Sequence, residues 1–206
     1  MTPASTTPDA LAEGSAAADS ELVRRAQGGD ARAFDQLVTK YRGKVYGMCH
    51  HLLQNEQDAW AIAQEAFIKA WRALPSFKLD SSFYTWLYRI VHNCSYDWLR
   101  KRRIQSDGEF DDEIHRDVAA GAEAVPRDGL RPDQALKNKE LGARITAAIE
   151  QLSPEHREVM LLREVDGLSY EEIAAATESQ TGTVMSRLFY ARKKLQELLK
   201  DAYENA

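Results

Sequence analysis

Aromatic and cationic side chains lie unusually close together between Ser82 and Arg103. The aromatic residues are Phe83, Tyr84, Trp86, Tyr88, Tyr96 and Trp98, and the cationic run is Arg100, Lys101, Arg102 and Arg103. Rings that stack on bases, beside cations that neutralise phosphates, form the kind of surface that binds a single nucleic-acid strand. Some of these rings must also build a core, because Phe83, Trp86 and Ile90 share one helix face. Tyr84, Tyr88 and Asn93 therefore remain as the binding candidates.

A second candidate site lies near the C-terminus. Ser169 and Glu172 form a capping box that opens a short helix to about Ala176, and a longer basic helix follows from about Thr181. These are the dimensions of a helix-turn-helix, although an ordinary helical hairpin would show the same periodicity. The second helix has a buried stripe of Val184, Leu188, Ala191 and Leu195. Its opposite face offers Met185, Ser186, Arg187, Phe189, Tyr190 and Arg192. The capping box, the turn length and the basic second helix favour DNA binding in the major groove.

Cysteine and histidine residues suggest a competing chemistry. Cys49, His50 and His51 are adjacent, and His92 lies near Cys94, so a metal site or a thiol sensor is conceivable. Neighbouring residues on a helix point about 100° apart, and neither an i,i+4 pair nor a Cys-x-x-Cys motif is present. We therefore predict structural roles for these residues and no metal or other cofactor. No phosphate loop, nucleophile signature or carboxylate pair indicates an enzyme.

The elements that must position these residues are all helical. Asp30 caps a long amphipathic helix to about Leu53, after Gly28 and Gly29 end a shorter one. Further helices are predicted over about 56–73, 82–103, 139–151 and 154–166, in addition to the C-terminal pair. No strand-like alternation occurs. The predicted fold class is all-α, with two small helical domains and a C-terminal helix-turn-helix.

Composition divides the chain into four parts. Residues 1–20 are rich in Ala, Ser, Thr and Pro, which predicts a disordered tail. Residues 21–103 form the N-terminal domain and residues 139–206 the C-terminal domain. Residues 104–138 are acidic, with Gly and Pro among scattered apolar residues, and this composition predicts a flexible linker.

Charge follows the same division. The formal net charge is −5, but residues 22–103 hold 14 basic and 7 acidic residues, a local +7. Residues 179–200 are also basic, and the linker between the two basic segments is acidic. Two basic segments indicate two contacts with a polyanion. The sequence has no membrane-spanning stretch and no signal peptide, and only two cysteines, so we expect a cytoplasmic protein.

Several of these segments, in this order, resemble the bacterial extracytoplasmic-function (ECF) sigma factors of the sigma-70 family. The N-terminal segments that carry the resemblance are Gln64–Arg72 and Phe83–Ile90, with Asn93. The C-terminal segments are Leu161–Glu164, Asp166–Ala174 and Gly182–Leu188. Each piece alone is weakly specific, but the ordered set, with an acidic linker between its halves, is highly specific.

The resemblance implies a function and roles for particular residues. It implies a promoter-specificity subunit of core RNA polymerase, with polymerase contacts at Asp58, Gln64, Glu65, Ile68 and Arg72. It implies that the helix over 82–103 and the loop Pro75–Ser82 melt and read the minus-ten element, with Asn93 lining a pocket for a flipped-out base near Phe77 and Lys78. The minus-ten set is then Phe77, Lys78, Tyr84, Tyr88, Asn93 and Arg100–Arg103. The minus-thirty-five set is Thr183, Met185, Ser186, Arg187, Phe189, Tyr190, Arg192 and Lys193.

The resemblance also implies a protein partner, and this sequence departs from the family pattern at several positions. An anti-sigma protein, often membrane-bound in this family, is expected as a partner that would hold the chain at the inner membrane face. Trp60 and Ala61 stand where acids are common, Met185 where a basic residue is usual, and Glu178 in a turn where Gly is frequent. The alternative function is a stand-alone helix-turn-helix regulator with an N-terminal sensing domain.

Overall fold

The computed structural model describes residues 8–106 and 132–200, with side chains over 17–104 and 140–200. It confirms an all-α fold of two helical domains, with no strand in these ranges. The N-terminal domain holds α1 (Pro8–Gln27), α2 (Ala31–Leu53), α3 (Glu56–Ala73) and α4 (Phe83–Ser106). The C-terminal domain holds α5 (Pro132–Glu150), α6 (Pro154–Glu164), α7 (Tyr170–Ala176) and α8 (Thr181–Leu198).

Helix α1 differs from the predicted tail. A disordered segment was expected over residues 1–20, but the helix begins at Pro8, and residues 1–7 lie outside the described part of the chain. Alanine is the strongest helix former, and it is the commonest residue in the first half of α1. Asp19 is buried, where its carboxylate pairs with Lys40 Nζ at 2.5 Å and accepts a hydrogen bond from the Tyr41 hydroxyl. These contacts fix α1 on α2.

Local capping explains where α2 and α3 begin. The Asp30 side chain accepts a hydrogen bond from the Ala33 amide, and Arg25 pairs with the same carboxylate at 2.7 Å. Asn55 caps α3 in the same way through the Asp58 amide. Between them, Gln54 ends α2 in a left-handed conformation with φ 52°. The two helices therefore form a tight antiparallel hairpin, with bounds close to those predicted.

The turn between α3 and α4 is bound through its backbone carbonyls. Residues Leu74–Ser76 form a single 3₁₀ turn after α3. Gln27 Nε2 donates to the carbonyls of Leu74 and Phe77, at 2.9 and 2.8 Å, so α1 fastens this turn. Ser82 Oγ accepts from the Thr85 amide at 3.0 Å at the start of α4. The loop that precedes α4 is therefore anchored at both ends.

The C-terminal domain contains the predicted helix-turn-helix. Ser153 caps α6, and the predicted capping box of Ser169 and Glu172 is present at the start of α7. Helix α8 buries Val184, Leu188 and Ala191, as its periodicity predicts. Helix α5 begins seven residues earlier than expected, so the last part of the predicted linker 104–138 is helical, and residues 107–131 lie outside the described part.

The two domains share one apolar core. Buried residues of α6, α7 and α8 join those of α2 and α4 in a single cluster. The Arg157 guanidinium, itself buried, donates to the carbonyl of His51 at the end of α2 and to those of Ile149, Glu150 and Leu152. Gln54 Nε2 also donates to the Glu150 carbonyl at 3.1 Å. The C-terminal domain is thus hydrogen-bonded to the end of α2 and packs against α4.

Candidate nucleic-acid interface

One side of α4 carries a stripe of ring side chains. Tyr84, Tyr88, His92 and Tyr96 recur every four residues, so they lie on one helix face. Tyr88 is fully buried and Tyr84 nearly so, although both were expected on a binding surface. Tyr84 is covered partly by α2, where its ring stacks on Tyr41 with 5.3 Å between centroids. The rest of the cover comes from the other domain, which the local sequence could not show. In this conformation the stripe faces α6 and α7.

A buried carboxylate of α6 binds three members of the stripe. Glu158 accepts hydrogen bonds from the hydroxyls of Tyr88 at 3.1 Å and Tyr96 at 3.0 Å, and its Oε1 lies 2.7 Å from His92 Nδ1. Burial, followed by the charge of Glu158, raises the pKa of both tyrosines well above its ordinary value. Both phenols therefore remain protonated donors. A buried polar group requires hydrogen-bond partners, and three ring side chains of α4 supply them to the Glu158 carboxyl group.

Three further acids of the C-terminal domain contact the same helix. Asp166 accepts from the Tyr84 hydroxyl at 2.7 Å and pairs with Lys44 Nζ at 3.0 Å. Glu178 Oε1 accepts from Asn93 Nδ2 at 3.3 Å. Glu172 lies at the limit of hydrogen bonding from Thr85, at 3.5 Å. Acidic side chains thus accompany the apolar contact with α4 along this face.

The loop before α4 presents only part of its predicted surface. Phe77 is buried, and its ring stacks on Trp86 with 4.6 Å between centroids, so it is a core residue of the loop and not a free stacking platform. Its apolar neighbours Phe83 and Trp86 explain this placement. Lys78 is exposed, and Leu79 adopts a positive φ of 59°. Lys78 remains available to a phosphate.

The basic end of α4, Arg100–Arg103, is exposed. Arg100 pairs with Asp97 at 2.7 Å. Arg102 lies over the Trp98 ring, 5.0 Å from its centroid, and 3.8 Å from Asp58 of α3. These cations can neutralise phosphates with little rearrangement, because surface ion pairs are weak.

The outer face of α3 combines charge with exposed apolar surface. Gln64, Glu65, Ile68 and Arg72 are exposed, and Asp58 is half-buried. Trp60 is 56% exposed and packs at a tilt against the Tyr46 ring, with 4.4 Å between centroids, and Trp71 is 41% exposed. Glu65 forms an i,i+4 pair with Lys69 at 2.7 Å. Exposed Trp and Arg side chains are enriched in protein–protein interfaces.

Helix α8 presents a mixed outer face. Met185, Phe189 and Tyr190 are each at least half exposed, and Ser186, Arg192 and Lys193 are also exposed. Thr183 and Arg187 are half-buried, and the charge of Arg187 acts on Tyr96. Arg192 pairs with Glu164 at 2.6 Å. The predicted set therefore lies on one accessible surface, except for Thr183 and Arg187, which are partly covered.

The two cysteine residues belong to the core. Cys49 and Cys94 are buried free thiols, and burial raises the pKa of Cys49 to about 12. Cys49 Sγ is in weak contact with Ser95 Oγ at 4.0 Å. Among the described residues no group of three His, Cys, Asp or Glu side chains is arranged to hold a metal ion.

Comparison with known families decides between the two functional alternatives. Residues 37–104 match the family Sigma-70 region 2, and residues 142–195 match the family Sigma-70, region 4. The RNA polymerase sigma-H factor of Pseudomonas aeruginosa is 43% identical over 191 residues, which cover 89% of this chain and 97% of that protein. The chain belongs to the sigma-70 family.

The further similarities place it in the ECF group. The ECF RNA polymerase sigma-E factor of Escherichia coli K12 is 39% identical over 186 residues, covering 88% of this sigma factor and 96% of the relative. The structure of CnrH in complex with the cytosolic domain of CnrY matches with TM-score 0.62 and 29% identity, over 89% of this chain and 98% of that one. The sigma factor RpoE in complex with the anti-sigma factor NepR from Bartonella quintana also has TM-score 0.62 and 29% identity, with 81% and 96% coverage. The chain is an ECF sigma factor, and not a stand-alone regulator.

Sequence reasoning missed the acids and the arginine of this sigma factor that join its domains. Arg157, Glu158, Asp166 and Glu178 were not among the predicted site residues. One signal was available: Arg157 and Glu158 precede four consecutive apolar residues in an eleven-residue helix, and all six are buried. Two charged residues directly before such an apolar run indicate groups that are paired when buried.

No helix of the described residues is both long and apolar enough to cross a membrane.

Proposed function

We propose that this sigma factor reads two promoter elements with two separate surfaces, α4 with its preceding loop and α8, and docks on core polymerase through α3. The observation that carries the proposal is the family match of both halves, together with exposed candidate residues on α3 and α8. Polymerisation chemistry belongs to the core enzyme, and the sigma factor supplies recognition.

The proposed polymerase contact is the outer face of α3. Glu65 and Arg72 supply charge of both signs around the exposed side chain of Ile68. An apolar centre with a charged rim is typical of a specific protein interface. Asp58 and Gln64 extend this face along the helix.

The proposed minus-ten surface is α4, with Asn93 as the base-reading residue. An amide donates and accepts at once, which suits the hydrogen-bonding edge of a flipped-out base. Tyr84 and Tyr88 would stack or donate, and the exposed cations Lys78 and Arg100–Arg103 would neutralise phosphates. In this role Phe77 supports the loop from within.

The two promoter elements demand that the domains act apart. Positions minus-ten and minus-thirty-five are separated by about 25 base pairs, or about 85 Å of duplex. Residues 107–131 can extend over at most about 85 Å, which is enough chain for this distance. We infer that the DNA-bound form differs from the packed arrangement described above.

The proposed minus-thirty-five surface is the exposed face of α8. Arg187 is the candidate for a bidentate contact with guanine, and Ser186 and Tyr190 lie beside it. Apolar Met185 and Phe189 suit thymine methyl groups. Arg192 and Lys193 would contact phosphates, and Thr183 would position the helix N-terminus.

The partners extend beyond polymerase and promoter DNA. One similar solved structure holds CnrH with the cytosolic domain of CnrY, and another holds the sigma factor RpoE with the anti-sigma factor NepR. We infer an anti-sigma protein partner for this chain and a cytoplasmic location, since core polymerase is there. A membrane-bound partner would hold the chain at the inner membrane face.

Run-off transcription with purified components tests the proposal. Core polymerase with this chain should initiate at a subset of promoters selected from a genomic library, and neither component alone should do so. Binding of promoter duplex by the chain alone, with no change on adding core polymerase, would contradict it.

A further inference from the structure

We propose that the C-terminal domain keeps this sigma factor self-inhibited by placing three carboxylates on the donors of α4 that capture the unpaired strand. The three are Glu158, Asp166 and Glu178, and we call them the carboxylate clasp. The inference rests on the proposed function of α4 in strand capture, and it adds a closed state in which that function is blocked.

The clasp occupies the hydrogen-bonding groups that a strand would need. Asn93, the proposed base-reading amide, donates to Glu178. Tyr84 donates to Asp166, and Tyr88 donates to Glu158. A base or phosphate can reach Tyr84 and Tyr88 only after the C-terminal domain leaves, because both are buried. Asn93 is exposed, and Glu178 competes there for its amide group.

The chemistry of the clasp imitates the ligand that it excludes. A carboxylate offers negatively charged oxygen acceptors, as a phosphate does, and accepts from the same amide, phenol and ammonium donors. The clasp also neutralises a cation, because Lys44 pairs with Asp166 at 3.0 Å. The closed state thus satisfies the donors of α4 in the absence of DNA.

Glu178 provides an independent sign that the contact is specific. Its backbone lies in the left-handed region, with φ 49°, where glycine is favoured. Its side chain is exposed and is not needed for the helix-turn-helix core. An unfavourable residue at this turn is explained when its side chain has a use, and the contact with Asn93 is that use.

The closed state is reversible because part of its contact is charged. The desolvation of buried carboxylates offsets some of the free energy that the new hydrogen bonds and the shared apolar core contribute to closure. Polymerase and promoter contacts that require separated domains can then shift the equilibrium.

The test compares three variants of the full chain with wild type. Glu178→Gly removes one clasp member and relieves the left-handed turn, so this variant keeps its fold. Glu158→Ala removes the central acceptor. Glu171→Ala is the matched control. Glu171 is an exposed residue of α7 outside the clasp, and its substitution removes one negative charge, as each clasp variant does. The readouts are the radius of gyration from solution scattering and anisotropy of a labelled single-stranded DNA of randomised sequence, about 12 nucleotides long.

We expect Glu178→Gly and Glu158→Ala to enlarge the radius of gyration and to tighten strand binding about tenfold, because the binding-competent fraction rises. Glu171→Ala should match wild type in both readouts. Unchanged size and affinity in both clasp variants, or equal tightening by Glu171→Ala, would overturn the clasp. If the clasp variants have a larger radius of gyration, but neither wild type nor any variant binds the single strand, the proposed role of α4 is overturned, and the inhibition with it. A wild-type affinity already equal to that of the expanded variants would overturn inhibition alone.

Discussion

At the scale of single residues, His51 links the stability of the molecule to pH. Burial is the largest cause that lowers its pKa to about 4, followed by the charges of His50 and Arg157. The folded protein therefore keeps His51 neutral where the unfolded chain, with its ordinary value near 6.5, takes up a proton. The free energy of unfolding is fully retained above pH 6.5, falls as the pH decreases towards 4, and then levels off.

We expect the free energy of unfolding to fall by about 2 kcal/mol between pH 7 and pH 5 through this residue. His51→Leu should remove that part of the decline, since the buried Nδ1 of His51 has no hydrogen-bond partner among the described residues and loses nothing there. Urea unfolding of both proteins at the two pH values measures the difference. An equal decline in the variant would show that other groups are responsible.

The base-reading role of Arg187 is a second residue-scale prediction. Arg187→Ala in the holoenzyme should relax the preference at one upstream position by about 1–3 kcal/mol. Lys193→Ala should instead weaken binding evenly across sequences and flatten the salt dependence, because a phosphate contact carries no sequence information. Affinities for a set of single-base variants, at two salt concentrations, separate the two effects. A preference that survives Arg187→Ala at every upstream position assigns the reading elsewhere.

At the scale of helices, α3 gives the sharpest test of polymerase docking. Glu65→Lys with Arg72→Glu should lower the affinity for core polymerase by about 1–3 kcal/mol, through lost charge complementarity at the rim. The matched control is Glu21→Lys with Arg24→Glu on α1, a pair equally exposed and 4.0 Å apart. Co-purification with core polymerase, beside circular dichroism of each variant, is the measurement. Equal retention of both variants, each with normal helical content, would remove α3 from the interface.

Local sequence signals predicted the helices well and their mutual cover poorly. Asp30, Ser153 and Ser169 cap the helices that they were expected to cap, because a cap depends on residues three positions away. Periodicity also identified the buried stripe of α8. Tyr88 was expected at a surface and is buried, because its cover is Glu158, seventy residues later in the chain. The alanine-rich composition of residues 1–20 predicts disorder, but from Pro8 onward helix propensity and the contacts of Asp19 prevail.

At the scale of the whole molecule, Arg157 determines whether the two domains unfold together. Its guanidinium joins the end of α2 to the turn between α5 and α6 through four carbonyls. Arg157→Met leaves these acceptors unsatisfied in a buried place, which should cost about 3–5 kcal/mol. We expect wild type to unfold in one calorimetric transition and the variant to unfold in two, as the shared core separates.

Arg163→Met is the control, since Arg163 donates only to the Leu168 carbonyl, at 2.8 Å and within the C-terminal domain. It should lower the transition temperature slightly and preserve a single transition. Two transitions in wild type would show that the domains are thermodynamically independent even when packed together.

The placement of the tryptophans gives the molecule a built-in optical label. All four, Trp60, Trp71, Trp86 and Trp98, belong to α3 and α4, so ultraviolet emission excited at the indole band originates in one domain alone. Trp60 and Trp71 lie on the outer face of α3, and a protein that covers them would shift their emission towards the blue. Trp98 lies beside the basic end of α4, where a bound nucleobase would quench it. The native chain, without dyes or added cysteines, can therefore be followed in real time as each of its two ligands arrives.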